Sequence, residues 1–158
     1  DSQLDQILDH IETRGDTLMR DLILVLRYSG MRLNEALTLK PNNINNGFIH
    51  LYKTKSNKSR AIPISSKIAL ILPVFAAKCS ELGSVSCVSK KFSRVKKALG
   101  LPVPANLHSL RHTFAQTLVD SGQPIDVVSK LLGHSSLNVT LIYAKTTDSR
   151  LQDAIKSI

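Results

Sequence analysis

Apolar residues recur at helical spacing through the first forty positions and again near the C-terminus, and they alternate only in a short stretch between. Leu4, Ile7, Leu8 and Ile11 share one helical face, which predicts a helix from about Ser2 to Thr13. Gly15-Asp16 breaks it and caps the next. Leu18, Leu22, Ile23, Val25 and Leu26 predict a largely buried helix ending near Gly30, followed by a shorter one from Leu33 to Leu39 that Pro41 stops. Asn45-Asn46-Gly47 then marks a hairpin turn. Beyond it Ile49 and Leu51 alternate with His50 and Tyr52. A second turn at Thr54 to Ser59 and a returning strand through Ile62 and Ile64 complete a small three-stranded antiparallel sheet.

Helical patterning then resumes. Ser65 or Ser66 caps a helix towards Leu82 that is disturbed at Pro73. Lys90 to Leu99 reads as a basic helix with Phe92, Val95 and Leu99 inward and Lys90, Lys91, Arg94 and Lys97 outward. Pro102 and Pro104 make a stiff connector. One helix runs from about His108 to Asp120, and another opens at Pro124 and ends at Gly133. A third, capped by Ser135 or Ser136, runs into Tyr143, with Leu137, Val139, Leu141 and Ile142 packing it against the domain. Asp148 caps a tail with Leu151, Ala154, Ile155 and Ile158 on one stripe. The expected class is α+β, mostly helical, with residues 1–158 forming one domain.

Composition fits that picture, since 42% apolar and 21% charged residues are the proportions of a globular chain. The densest apolar run, Leu22 to Leu26, lies between Asp21 and Arg27 and falls far short of the roughly 18–20 residues that span a bilayer. The acidic, polar N-terminus does not resemble a signal peptide, and no membrane partner is expected. Cys79 and Cys87 form no CxxC pair and are expected as reduced thiols in a cytoplasmic protein. Charge is more informative. Residues 51–100 carry eleven Lys or Arg against one Glu, and so hold more than the whole of the net +9. Such a focused basic block suits either a polyanion, nucleic acid first, or a solvated lysine face.

Three short stretches offer chemistry. Arg32 and Glu35 stand three apart at a helix start, as a surface ion pair or as an arginine held for a phosphate. In Leu107-His108-Ser109-Leu110-Arg111-His112 the polar residues open a helix, where amide N–H groups already favour an anion. His108 and Arg111 share a face there, either to meet a phosphate or merely to cap and pair. His108 and His112 at i,i+4 have no supporting ligand set, and no metal is expected. Gly133 puts His134 at a helix joint, with Tyr143 nine residues on. Taken alone, that tyrosine reads as packing.

Together these stretches resemble the tyrosine recombinases, or phage-type integrases. The residues that carry the resemblance are GMRLNEAL at 30–37, TKSNKSRAIPI at 54–64, HSLRHTFA at 108–115, LLGHSS at 131–136 and Tyr143, in the family's order and at about its spacings. The resemblance covers nearly the whole chain as the family's C-terminal catalytic domain. It implies that Arg32 and Arg111 bind the phosphate, that Glu35 supports Arg32, that Lys55 is the mobile catalytic lysine, that His108 and His134 are the active-site histidines and that Tyr143 is the nucleophile. Lys53, Lys58, Arg60, Lys90, Lys91, Arg94 and Lys97 are expected to contact DNA. The implied product is a 3′-phosphotyrosine with a free 5′ hydroxyl, made without cofactor or metal. The implied partners are double-stranded attachment or recombination sites and further copies of the chain, four in synapsis, in a bacterial or phage setting. A non-cleaving regulator and a type IB topoisomerase-like relaxase are the alternatives. Two departures stand out. The family's N-terminal DNA-binding domain is not expected within these residues, which are read as a domain cut from something longer, so weak, salt-sensitive binding is expected of them alone. Ala144 and Lys145 follow the tyrosine, where family members often have a histidine.

Overall fold

The structure is a computed structural model that describes residues 2–52, 59–101, 106–134 and 136–143. In chain order the elements are α1 (Ser2–Glu12), α2 (Thr17–Ser29), α3 (Leu33–Leu37), a 3-10 turn (Pro41–Asn43), β1 (Ile44–Asn45), β2 (Phe48–Leu51) and β3 (Arg60–Pro63). They continue with α4 (Leu72–Lys78), a 3-10 turn (Cys79–Leu82), α5 (Val85–Ala98), α6 (Leu107–Asp120), α7 (Ile125–Leu132) and α8 (Asn138–Leu141). The class is as expected: mostly helical, with one antiparallel sheet of order β1-β2-β3. Its register pairs Ile44 with Ile49 and Ile49 with Ile62, which puts these apolar side chains on the core side. Among the described residues no helix is long and apolar enough to cross a membrane.

Helix α2 is the centre of the larger apolar cluster, because Met19, Leu22, Ile23, Val25 and Leu26 are all essentially out of water. Asp16 starts the helix by accepting the Met19 N–H, and Gly30 ends it in the left-handed conformation with its N–H on the Leu26 carbonyl. A second cluster joins Ala115 and Val119 of α6 to Val128 and Leu132 of α7 and to Tyr143. The two halves meet where α2 packs on α6, and there Arg27 Nη2 donates to Thr117 Oγ1 at 3.4 Å.

Three expectations about elements are corrected. The helix foreseen from Ser65 or Ser66 starts instead at Leu72, with Pro73 in its first turn. Proline is unobjectionable there because the N–H it lacks would have no intrahelical partner. Helix α5 begins at Val85, five residues before the basic run, because Ser84 Oγ accepts the Cys87 N–H at 3.2 Å. Helix α8 is a single turn, and Leu137, Val139, Leu141 and Ile142 are exposed. What anchors that segment is Thr140 and Tyr143, both buried. The lysine turn at 53–58, the proline connector, Ser135 and the tail from Asp148 lie outside the described residues.

Gly30 matters twice to this scaffold. Its φ of +64° suits glycine, and an added Cβ would run into the Phe114 ring of α6. Gly30→Ala is therefore expected to lower stability by about 2 kcal/mol or more, through backbone strain and overpacking together. Urea unfolding of wild type and variant checks this.

Candidate active site

The turn from α2 into α3 sets the first arginine. Ser29 Oγ donates to the Val25 carbonyl at 2.6 Å and accepts the Met31 N–H at 3.2 Å, which fixes the backbone just before Arg32. Arg32 caps α3, and its own N–H donates to Glu35 Oε2 at 2.7 Å. Its Nη1 donates to Glu35 Oε1 at 3.2 Å, leaving the guanidinium partly exposed. The i,i+3 pair read from the sequence thus exists, but it is only half of what Glu35 does.

From β3, Arg60 lays its guanidinium fork on the same carboxylate, with Nη1 to Oε1 at 2.9 Å and Nη2 to Oε2 at 2.7 Å. Its Nε donates to the Leu131 carbonyl at 3.0 Å. The two side chains are only 8% and 7% exposed. The expectation that Arg60 contacts DNA is therefore corrected: its guanidinium is buried and committed within the protein. Gly133 is part of the fit, because a Cβ there would stand 2.8 Å from Arg60 Cδ and Nη1. Burial alone would raise the Glu35 carboxyl. The hydrogen bonds and charge of Arg60, with Arg32 behind, outweigh it and hold the group below the ordinary carboxylate range.

The second arginine comes from α6. Arg111 is 3% exposed, with Nη1 donating to the Gly30 carbonyl at 2.6 Å and Nη2 to the Leu132 carbonyl at 2.5 Å. The end of α7 is thereby accounted for completely. Gly133 and His134 N–H groups take the Lys130 and Ser129 carbonyls, while Arg60 and Arg111 take those of Leu131 and Leu132. Burial first, then repulsion from Arg32 and Arg60, pushes Arg111 down to about 10. It remains a cation at neutral pH. Three guanidiniums thus surround one carboxylate, and the surplus positive charge makes this a place for an anion.

Three histidines and the tyrosine border that charge. His134 follows the left-handed Gly133, and its Nδ1 lies 2.7 Å from the Oγ1 of buried Thr140. Burial, then the charge of Arg111, Arg32 and Arg60, pushes His134 down to about 4, so it is neutral at pH 7. His108 is shifted the same way, by partial burial first and then by His112, Arg111 and Arg32. His112 stacks edge-on against His108 at 4.7 Å and hydrogen-bonds through Nδ1 to the Tyr143 hydroxyl. Tyr143 is buried in the second apolar cluster, which raises its phenol above the ordinary value, with Arg111 pulling the other way.

Arg32, Glu35, His108, Arg111, His134 and Tyr143 therefore converge on one region, as their mutual hydrogen bonds and charge effects require. Lys53, Lys55 and Lys58 lie outside the described residues. Lys90, Lys91, Arg94 and Lys97 are exposed on α5, which packs on α1 and α3, and Lys91 Nζ is held by Asp16 Oδ2 at 2.5 Å. Sequence reasoning missed His112 as the tyrosine's partner, because its i,i+4 spacing from His108 was weighed only as a metal signal. Among the described residues no cluster of His, Cys, Asp or Glu is placed to hold a metal ion.

Residues 1–150 match the model of the Phage integrase family. The chain is 30% identical over 154 residues to the tyrosine recombinase XerC of Nitrobacter winogradskyi, covering 85% of this chain and 48% of that protein. Among solved structures it is similar to the XerH site-specific recombinase bound to its difH substrate before cleavage, with a TM-score of 0.75, 28% identity, and coverage of 98% of this chain and 52% of that one. It is likewise similar to the catalytic domain of bacteriophage HP1 integrase, with a TM-score of 0.74, 25% identity, and coverage of 99% of this chain and 91% of that one. The chain spans about half the length of the curated relatives it matches.

Two outcomes follow from the site's electrostatics. Arg60→Ala leaves Glu35 buried with only a half-exposed partner, and is expected to cost about 3–5 kcal/mol, with Arg60→Lys no full rescue because it lacks the fork. Glu35's folded value lies below the unfolded 4.5, so its stabilisation is present above about pH 4.5 and is lost as pH falls through the folded value. Glu35→Gln should remove that part of the acid limb in urea titrations taken against pH. The second outcome concerns His134, which is expected to stay neutral until about pH 4, well below the ordinary 6.5. Because the unfolded chain protonates first, this histidine's contribution to stability falls on acidification between those values. Histidine ring resonances followed by NMR, assigned with His134→Asn, check it.

Proposed function

Because the chain belongs to the Phage integrase family, we propose that it is the catalytic domain of a site-specific DNA recombinase that cuts and rejoins strands through Tyr143. The observation that carries this reading is the surplus of guanidinium over carboxylate beside the only tyrosine hydroxyl in the cluster. A phosphodiester is an anion that repels nucleophiles. Arg32 and Arg111 neutralise its non-bridging oxygens and stabilise the added charge of the pentacoordinate transition state. Arg111 suits the task because two carbonyls hold it in place before any substrate arrives. Its three other N–H donors have no partner among the described residues.

Tyr143 Oη attacks phosphorus, and the 5′ oxygen leaves with a proton from the Lys55 ammonium. The resulting 3′-phosphotyrosine keeps the energy of the broken linkage, so rejoining needs no ATP. His134, neutral and held by Thr140, presents its other ring nitrogen as a hydrogen-bond donor to a phosphate oxygen. The partners in this reading are duplex recombination sites and further copies of the protein, four at synapsis. Lys90, Arg94 and Lys97 supply exposed cations for the DNA backbone.

The test is covalent trapping by the full-length protein on a nicked duplex carrying a candidate attachment site. Wild type should give a protein–DNA adduct that survives denaturing electrophoresis, and Tyr143→Phe none. Arg111→Ala should slow adduct formation by about 10²–10³-fold, the usual loss for a transition-state charge donor. An adduct formed as well by Tyr143→Phe would sink the reading.

A further inference from the structure

We propose that His112, rather than His108 or His134, takes the proton from the Tyr143 hydroxyl as that oxygen attacks. The inference rests on the reading of Tyr143 as nucleophile and deepens it. Helix α6 presents His108 and His112 one turn apart, with Arg111 turned inward between them. Of the three histidines only His112 bonds the phenol, with the two rings 5.7 Å apart and tilted by 48°. Among the described residues no other side chain shares that hydroxyl. His134 has Nδ1 engaged by Thr140, and His108 meets the edge of His112 without reaching the tyrosine.

The chemistry calls for such an acceptor. A phenol with pKa about 10 is almost wholly protonated at pH 7, so the proton must leave as the new bond forms. Burial of Tyr143 makes prior ionisation harder still. A neutral imidazole with its hydrogen on Nε2 offers the Nδ1 lone pair to Oη–H. In the forward step the Oη–H bond breaks, the proton passes to Nδ1, Oη bonds to phosphorus, and the phosphorus–5′ oxygen bond breaks with that oxygen protonated by Lys55. In the return step the 5′ hydroxyl gives its proton to the Lys55 amine as its oxygen bonds to phosphorus, the phosphorus–Oη bond breaks, and the His112 imidazolium gives its proton back to Oη. His112 is itself exposed, so no large rearrangement is needed to relax its charge into solvent.

Adduct formation on the nicked duplex is compared for full-length wild type, His112→Ala and His112→Gln, with DNA affinity measured in parallel. His112→Ala should slow trapping about 10²-fold or more while affinity is retained, as for loss of a general base. Glutamine can bond the phenol but cannot hold its proton, so His112→Gln should stay slow. Wild-type rates in either variant would overturn the proposal. If wild type itself forms no adduct, the nucleophile reading fails first and this inference falls with it. Histidine ¹⁵N spectra of the DNA-free wild-type protein test the same point without any variant. They should show His112 with Nε2 protonated and Nδ1 bare at neutral pH, and a proton resident on Nδ1 would overturn the assignment.

Discussion

One carboxylate holds three parts of the molecule in register. Glu35 takes the Arg32 amide and guanidinium from its own turn and the Arg60 fork from the sheet, and Arg60 in turn reaches the end of α7. The pair with Arg60 is bidentate and nearly dry, the geometry in which an ion pair justifies its desolvation cost. Remove either partner and a buried charge is stranded among other charges. The constraint is therefore local in chemistry but wide in reach. Strand β3, the start of α3 and the joint before His134 cannot move independently while it holds.

Helix ends supply the rest of the positioning. The last carbonyls of a helix have no intrahelical donors and carry its negative dipole end. Here the ends of α2 and α7 turn those carbonyls on arginines: Gly30 and Leu132 on Arg111, Leu131 on Arg60. Both ends close with a left-handed glycine, and at both a side chain stands where a Cβ would be, Phe114 at one and Arg60 at the other. Backbone carbonyls can fix a guanidinium without neutralising it, as a second carboxylate would. The site stays rigid and keeps its surplus positive charge, which is what an anionic reaction centre needs.

Much of this was legible in the chain. The apolar periodicity of α1 and α2, the Pro124 and Gly133 that bound α7 and the alternation at Ile49 and Leu51 located those elements because local geometry dictates them. Arg32 and Glu35 were visible because three residues is one helical turn. The partnership of Glu35 with Arg60 was not, since 25 residues and a sheet separate them, and a basic turn looks the same whether its arginine faces water or a buried carboxylate. The apolar run at 137–142 misled for a related reason. A one-turn helix has too little length for a packed face, and the buried positions are instead those with hydroxyls to place, Thr140 and Tyr143.

Those two hydroxyls explain why a single turn suffices. Residues 140 and 143 share one face, and each is tied to a different histidine: Thr140 to His134 at the head of the segment, Tyr143 to His112 on α6. The Tyr143 N–H also returns to the Thr140 carbonyl at 3.0 Å. Three histidines share this region, and in His108 and His134 burial and the surrounding positive charge discourage a resident proton. What separates them is the bond each makes. A threonine hydroxyl can hold an imidazole's tautomer but has no use for its basicity, whereas a phenol attacking phosphorus must give up a proton at once. In the proposed reading of Tyr143 as nucleophile, those partners put the donor role on His134 and the acceptor role on His112, the imidazole that already bonds the phenol.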